Sequence, residues 1–84
     1  MPKNTFKDSP LTEKYEERAK NILKAELKRR GLTYAELVEE LAKIGLSETE
    51  RNIANKISRG GFSAAFFIQC LDAIGAHSVR VSDA

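Results

Sequence analysis

The sequence predicts a compact all-α domain of four to five short helices. Three observations lead to this prediction. Apolar residues recur at spacings of three and four along most of the chain, which is the period of an amphipathic helix. Hydroxyl residues precede several of these runs, where they would cap helix N-termini. Glycines follow the runs at positions 31, 45, 60–61 and 75, where helices commonly end.

Length and composition indicate one small cytoplasmic domain. The 84 residues suffice for a single core. No apolar run approaches the roughly 20 residues that cross a bilayer, and the first residues, MPKNTFKDSP, lack the apolar core of a secretory signal. Cys70 is the single cysteine. We expect it to be a small buried hydrophobe, which suits a reducing cytoplasm.

The first helix is predicted to run from about Leu11 to Arg30. Residues 1–10 before it are polar for the most part and are expected to form a flexible N-terminal arm. A polar residue just before Pro10 is placed to cap the helix, because proline is well tolerated in a first turn. The apolar residues of this helix fall on one stripe: Leu11, Tyr15, Ala19, Ile22, Leu23 and Leu27.

Two capping signals lie in the middle of the chain. Thr33 is followed three residues later by Glu36, and Ser47 is followed three residues later by Glu50. Both pairs fit the capping box, in which a hydroxyl and a carboxylate satisfy backbone N–H groups at a helix start. Two helices joined by a turn are therefore predicted here, in a helix-turn-helix arrangement.

The second helix is predicted from Tyr34 to about Ile44, and the third from Glu48 to Ser58 or Arg59. The apolar spacing defines the inward positions of both helices. These are Leu37, Val38, Leu41 and Ile44 on the second helix, and Ile53, Ala54 and Ile57 on the third.

The fourth helix is predicted to begin after Ser63 as its N-cap and is the most apolar segment of the chain. Such a helix lies at the centre of a core or is partly covered by another chain. Beyond it, Val79 and Val81 alternate with polar residues, which is the pattern of a short strand. The predicted parts are an N-terminal arm at 1–10, a helix-turn-helix domain at 11–76, and a C-terminal tail or short strand at 77–84.

Charge is sorted along the chain, although the net charge is only +2. Residues 36–50 contain five acids and one base, whereas residues 51–59 contain three bases and no acid. Residues 20–30 contain five bases and one acid. Local sorting of this kind is what phosphate binding requires, but taken alone it is more often an ordinary solvated surface.

Two strings, KRRGLTYAELVEEL and NIANKISRGGFSAAFFIQCLDAIGA, resemble the two halves of lambda-repressor-like (Cro/XRE-type) helix-turn-helix domains. In that family Gly-Leu-Thr or Gly-Leu-Ser precedes the second helix, and the recognition helix ends at Arg-Gly. The likeness covers about residues 20–76 and is shared with a family of short, uncharacterised bacterial proteins. It implies a lambda-repressor-like bundle that binds DNA as a bacterial transcriptional regulator.

The chain departs from the family pattern around the turn. Three residues, 42–44, intervene before the turn glycine, and the segment between Ser47 and Ile57 is longer than usual by about one helical turn. Because one added turn preserves the buried face, we expect the insertion to lengthen the third helix.

The third helix carries the predicted DNA-contacting residues. Opposite its apolar positions it has one polar stripe, Asn52, Asn55, Lys56 and Arg59, with Arg51 at the flank. Asparagine pairs with the adenine edge, and arginine or lysine with guanine. Since the N-terminal half of a recognition helix usually meets the bases, we expect base contacts from Arg51, Asn52 and Asn55, and phosphate contacts from Lys56 and Arg59.

Further phosphate contacts are implied by the resemblance. They would come from Tyr34 at the start of the second helix and from the turn that ends at Ser63, because backbone N–H groups at a helix N-terminus bind phosphate. Lys24 and Lys28 would add to them if the first helix lies alongside.

No catalytic constellation is visible in the sequence. His77 is the single histidine and Cys70 is expected to be buried, so neither a Cys/His pair nor a metal cluster is available. No glycine-rich loop has the spacing of a phosphate-binding motif. We therefore predict no enzymatic activity, metal, cofactor or small-molecule ligand. The expected partners are double-stranded DNA and a second copy of the chain, because a dimer reads two half-sites.

The alternative is a protein-interaction module on the same helical fold, without DNA binding. In that case the acidic second helix and the apolar fourth helix form the working surface, since a fold does not by itself fix a function.

Overall fold

The computed structural model describes residues 9–82, which form four α-helices and no strand. The helices are α1 (Pro10–Arg29), α2 (Tyr34–Lys43), α3 (Glu50–Arg59) and α4 (Ala64–Ala73). The predicted all-α fold is confirmed. The predicted N-terminal arm lies outside the described residues, apart from the two that begin α1.

Each helix begins directly after a hydroxyl residue. The N-caps are Ser9, Thr33, Thr49 and Ser63, and each side-chain oxygen accepts a hydrogen bond from the backbone N–H three residues later. At α2 the Thr33 N–H also donates to the carboxylate of Glu36, at 2.8 Å. The first predicted capping box is therefore confirmed.

The second predicted capping box, formed by Ser47 and Glu50, is wrong. Thr49 is the N-cap of α3, and its hydroxyl accepts from the Asn52 N–H at 3.1 Å. The helix therefore begins at Glu50 rather than at Glu48. Two hydroxyl residues, Ser47 and Thr49, are candidates for the N-cap in this short stretch. The local pattern alone favours Ser47, because a glutamate follows it at the distance of a capping box.

The residues 44–49 form a long connection between α2 and α3. The side chain of Glu48 is only 10% exposed there, and its carboxylate accepts from Lys56 Nζ at 2.6 Å. This ion pair holds the connection against α3. The expected lengthening of α3 is therefore wrong, since the extra residues lie in a connection that exceeds the three to four residues of a usual helix-turn-helix turn.

All four helices contribute to one core. α1 and α2 each pack against α3 and α4. The buried apolar residues are Leu23, Leu27, Leu37, Leu41, Ile53, Ile57, Phe66, Cys70, Leu71 and Ala76. Leu11 and Tyr15 are exposed, so the apolar stripe of α1 is buried only towards its C-terminal end. None of the helices in the described residues combines the length and the apolar character needed to cross a bilayer.

The end of α3 is held against α1 by a close backbone approach. Gly60 follows α3 in the left-handed conformation, with φ of 72°. A Cβ atom at this position would lie 2.6 Å from the carbonyl oxygen of Glu16. Glycine is the residue that tolerates both the conformation and the contact, so it fixes where α3 leaves the core.

The C-terminal segment 76–82 has no regular structure, so the predicted short strand does not form in it. A strand needs a partner for its backbone groups. Here a side chain of α1 takes that role, because Arg18 Nη2 donates to the Val81 carbonyl at 2.9 Å. Val79 packs against the core.

Candidate nucleic-acid interface

α3 has a buried face and an opposite face open to solvent. Ile53 and Ile57 are fully buried. The exposed side chains of the helix beyond its first residue are Arg51, Asn52, Asn55, Ser58 and Arg59. We call these five residues the exposed α3 face. It presents two guanidinium groups and two amides without a carboxylate, which is the set of donors and acceptors that pairs with base edges in the major groove.

Lys56 lies at the edge of this face rather than within it. Its ammonium donates to Glu48 at 2.6 Å and lies 4.9 Å from the centroid of the Phe66 ring. Arg51, which was expected at the flank, is exposed together with Asn55. The predicted stripe therefore shifts by one position around the helix, towards Arg51 and away from Lys56.

Sequence reasoning missed Ser58, which completes the exposed α3 face. The helical spacing in the sequence could have identified Ser58, because Arg51, Asn55 and Ser58 stand at i, i+4 and i+7 and share one side of a helix. A hydroxyl at this position can donate to a base edge or a phosphate oxygen.

A cavity of about 400 Å³ at the end of α3 brings three predicted residues together. Lys56, Arg59 and Ser63 all line it. The Ser63 hydroxyl accepts from the Phe66 N–H at 3.0 Å, so it is engaged in capping α4. The N-terminus of α4 carries a partial positive charge. Arg59 lies beside it, as does Lys56, whose ammonium is paired with Glu48. This combination favours a phosphate group.

The other two predicted residues, Lys28 and Tyr34, meet at the junction of α1 and α2. Both line a cavity of about 440 Å³, together with Lys24. Lys28 and Lys24 are exposed, and Tyr34 is half-buried. The basic end of α1 therefore lies beside the start of α2, which is the arrangement that phosphate contacts from Lys24 and Lys28 would require.

Two acidic residues next to the exposed α3 face, Glu48 and Glu50, differ in how strongly they would repel an anion. Glu50 is exposed at the first position of α3, where a carboxylate stabilises the helix N-terminus. Glu48 is bound to Lys56. Because Lys56 compensates the charge of Glu48, Glu50 is the acid that a DNA phosphate would meet.

Cys70 lies in the core and offers no chemistry to this surface. Its side chain is fully buried, and burial raises the pKa of the thiol from 9.0 to about 12. The thiol therefore stays protonated at physiological pH, which disfavours a role as nucleophile or ligand. In the described residues, no group of three or more histidine, cysteine, aspartate or glutamate side chains is arranged to hold a metal ion.

Comparison with known proteins gives one match. A family model with the description "Domain of unknown function (DUF6471)" matches residues 15–79. The matched segment begins within α1 and extends beyond α4, so it includes the whole exposed α3 face. No curated protein and no solved structure matches the chain.

Proposed function

We propose that this chain, which belongs to the family described as "Domain of unknown function (DUF6471)", binds double-stranded DNA through the exposed α3 face. One observation carries the proposal. α3 buries Ile53 and Ile57 on one side, and beyond its first residue, Glu50, it exposes two arginines and two asparagines without a further acid. A helix held by its apolar side with such a polar face outward suits the major groove.

The dimensions of α3 are compatible with this role. Its ten residues span about 15 Å, and the major groove is about 12 Å wide and admits one helix. Arg51 and Asn52 stand in the first turn and Asn55 at the middle of the helix, and these three residues are assigned to the bases. Arg59 stands in the last turn and is assigned to the phosphate backbone together with Ser63 and Lys56.

A second phosphate contact is assigned to the junction of α1 and α2. Lys28 and Tyr34 line one cavity there, beside Lys24. Contacts on two sides of the reading helix would fix its orientation on the duplex, which is the usual role of phosphate contacts.

We also propose that the protein acts as a homodimer and as a bacterial transcriptional regulator in the cytoplasm. A single ten-residue helix reads few base pairs. Two copies on two half-sites would give the contact area of a specific complex. The resemblance to lambda-repressor-like domains supports this arrangement, although the connection 44–49 is longer than the turn of that motif.

The proposal is tested by measuring duplex DNA binding as a function of salt concentration. Binding should weaken steeply with salt, because arginine and lysine displace counterions from the phosphates. An Arg51→Gln, Arg59→Gln variant should bind about ten-fold or more weakly, with an unchanged circular dichroism spectrum. Selection from a random DNA pool would then give the preferred sequence.

An Arg29→Gln, Arg80→Gln variant is the matched control, because it removes the same charge from residues outside the exposed α3 face. It should retain most of the affinity for DNA. Absence of DNA association at low salt, or equal losses in both variants, would contradict the proposed interface.

A protein-interaction module is the competing function, and one observation favours it. Ile44 and Ile68 are exposed by 45% and 63%, and Glu36 and Glu39 are exposed on α2. Exposed apolar residues can mark a protein contact. Under this alternative, the Arg51→Gln, Arg59→Gln variant should bind the partner protein as tightly as the unmodified chain does.

A further inference from the structure

A second basic surface lies between α1 and residues 80–82 of the C-terminal segment. It is an open groove with a cavity of about 390 Å³, lined by Arg18 and Arg29 of α1 and by Arg80 of the segment. Among the described residues that line the groove, Glu26 is the one acid. The apolar part of the wall consists of Ile22, Ala25 and Val81. The described lining residues therefore place three cations against one anion.

The negative charge of Glu26 is already compensated. The residue is only 3% exposed, and its Oε2 accepts from Arg29 Nη2 at 2.9 Å. Its Oε1 is bound by Arg30. Because Arg29 and Arg30 share this carboxylate, the described lining residues offer no further buried acid to Arg18 and Arg80. Arg29 also keeps donors for another acceptor, since a guanidinium has five N–H groups.

Arg18 is fixed at the other end of the groove. Its guanidinium stacks on the Tyr15 ring, 4.9 Å from the ring centroid, and one of its nitrogens donates to the Val81 carbonyl. A stacked guanidinium loses little freedom when it binds a carboxylate. The groove therefore has a preorganised cation at one end and an Arg29–Glu26 pair at the other.

The spacing of these cations indicates the shape of the ligand. Arg18 and Arg29 are eleven residues apart on one helix, which is about 16 Å along its axis. One phosphate or carboxylate cannot reach both. In an extended peptide, side chains i, i+2 and i+4 lie on one face over about 13 Å, and the long arginine side chains can make up the remaining distance.

We propose that this groove binds an extended acidic segment of a partner protein, with the pattern acid–x–apolar–x–acid. The two carboxylates bind Arg18 and Arg29 at the ends, with Arg80 beside them. The central apolar side chain packs on Ile22 and Ala25. Arginine pairs with carboxylates in a two-point geometry, which suits these end contacts.

This groove is separate from the proposed DNA contacts. Lys24 and Lys28 line the cavity on another side of α1. Successive helix residues are rotated by about 100°, so Lys28 and Arg29 point in clearly different directions. Peptide binding in the groove therefore does not depend on DNA binding by the exposed α3 face.

Fluorescence anisotropy with a labelled peptide tests the proposal. The probe contains Glu-Ser-Leu-Ser-Glu between glycines, and the reference probe contains Gln-Ser-Leu-Ser-Gln. The acidic peptide should bind and the amide peptide should bind at least about five-fold more weakly, because each exposed ion pair makes a modest contribution. Replacing the central leucine with serine should also weaken binding.

The protein variants locate the peptide. Arg29→Gln, Arg80→Gln should weaken binding about five-fold or more, whereas Arg51→Gln, Arg59→Gln should leave it unchanged. Arg80→Gln alone serves as a second variant, because Arg80 is exposed outside the helices and its replacement leaves the Glu26 pairs intact. A smaller but clear loss is expected from it.

Three outcomes would overturn the proposal. Equal losses in the groove and α3 variants would indicate unspecific charge attraction. Equal affinity for the acidic and amide peptides would exclude carboxylate recognition. The third outcome is that inorganic phosphate or duplex DNA displaces the peptide at matched ionic strength, while the Arg29→Gln, Arg80→Gln variant no longer binds the peptide. That result would assign the groove to another anion. A failure of the protein to bind DNA would not change the interpretation of these three peptide-binding measurements.

Discussion

Two glycines share a left-handed backbone conformation but differ in their surroundings. Gly60 has φ of 72° and Gly31 has φ of 67°. A Cβ atom at Gly60 would lie 2.6 Å from the Glu16 carbonyl oxygen, whereas one at Gly31 would have no neighbour within 4 Å. Comparing the two positions separates the cost of the conformation from the cost of the close approach between α1 and α3.

We predict that Gly60→Ala destabilises the protein more than Gly31→Ala. The Gly31 variant should lose about 1–2 kcal/mol of unfolding free energy, which is the cost of the left-handed conformation. The Gly60 variant should lose about 1–3 kcal/mol more, because the added methyl group overpacks the contact. Urea unfolding of both variants measures the difference. Equal losses would mean that α1 can move away from Gly60 at little cost.

Cys70 makes stability depend on pH in the alkaline range. Burial raises the pKa of its thiol from 9.0 to about 12 in the folded state. Between these pH values the unfolded chain has lost the thiol proton and the folded chain has kept it. Raising the pH therefore favours the unfolded state. Below about pH 9 both states keep the proton, and the thiol contributes no pH dependence.

We predict two consequences for the Cys70 thiol. Iodoacetamide at pH 8 should alkylate it slowly in the folded protein and rapidly in urea, because the reactive thiolate is scarce in the core. The unfolding free energy should fall from about pH 9 towards pH 12, and Cys70→Ala should show a smaller fall over the same range. Rapid alkylation of the folded protein, or an identical pH profile of the variant, would contradict the burial of a neutral thiol.

At the scale of elements, the start of α3 depends on one hydroxyl. We predict that Thr49→Ala lowers the unfolding free energy by about 1 kcal/mol, because it removes the acceptor for the Asn52 N–H. Ser47→Ala is the matched control and should change stability little, since Ser47 is exposed two residues before the N-cap. Thermal unfolding of the two variants decides between them, and a larger loss at Ser47 would place the N-cap there.

The two capping boxes show what the sequence could and could not determine about the elements. Thr33 and Glu36 are the right residues at the right spacing, and no other serine or threonine lies nearby. Ser47 and Glu50 fit the same pattern, but Glu48 forms an ion pair with Lys56 and lies outside the helix. That pair joins residues eight positions apart, so local pattern rules could not weigh it.

The same long-range contact limited the prediction of the candidate interface. Helical spacing placed Asn52, Asn55 and Arg59 correctly on the outer side of α3. It also grouped Lys56 with them, although the Phe66 ring of α4 and the Glu48 carboxylate hold that ammonium at the edge. Which polar residues of a helix stay open to solvent depends on neighbours that come from other elements.

At the scale of the whole molecule, basic groups occupy more than one side of the helical bundle. The exposed α3 face and the Lys28–Tyr34 cavity are proposed for DNA, and the groove beside Arg18 for an acidic peptide. A net charge of +2 conceals this arrangement, because the 12 acidic residues of the chain offset most of its 14 lysines and arginines. A regulator with two such surfaces could bind DNA and a partner protein at the same time.

The C-terminal segment and α4 make different contributions to the assembly of the molecule. Val79 packs against the core and the Val81 carbonyl accepts from Arg18 of the same chain. This segment is therefore used within one protomer. Ile68 on α4 is 63% exposed, and Ala64 and Ala65 are exposed on the same helix. An exposed apolar side chain on a helix surface that otherwise carries small side chains is well suited to contact a second copy of the chain.

We therefore predict that the proposed homodimer depends on Ile68 and not on the segment. A variant that ends at Ser78 should unfold at a lower temperature, because it loses the contacts of Val79 and Val81, and its oligomeric state should not change. Ile68→Glu should shift the protein to monomer in sedimentation equilibrium with little change in helix content, because the charge would be buried without a partner in the dimer. A dimer that dissociates on truncation but tolerates Ile68→Glu would assign the interface to the C-terminal segment instead.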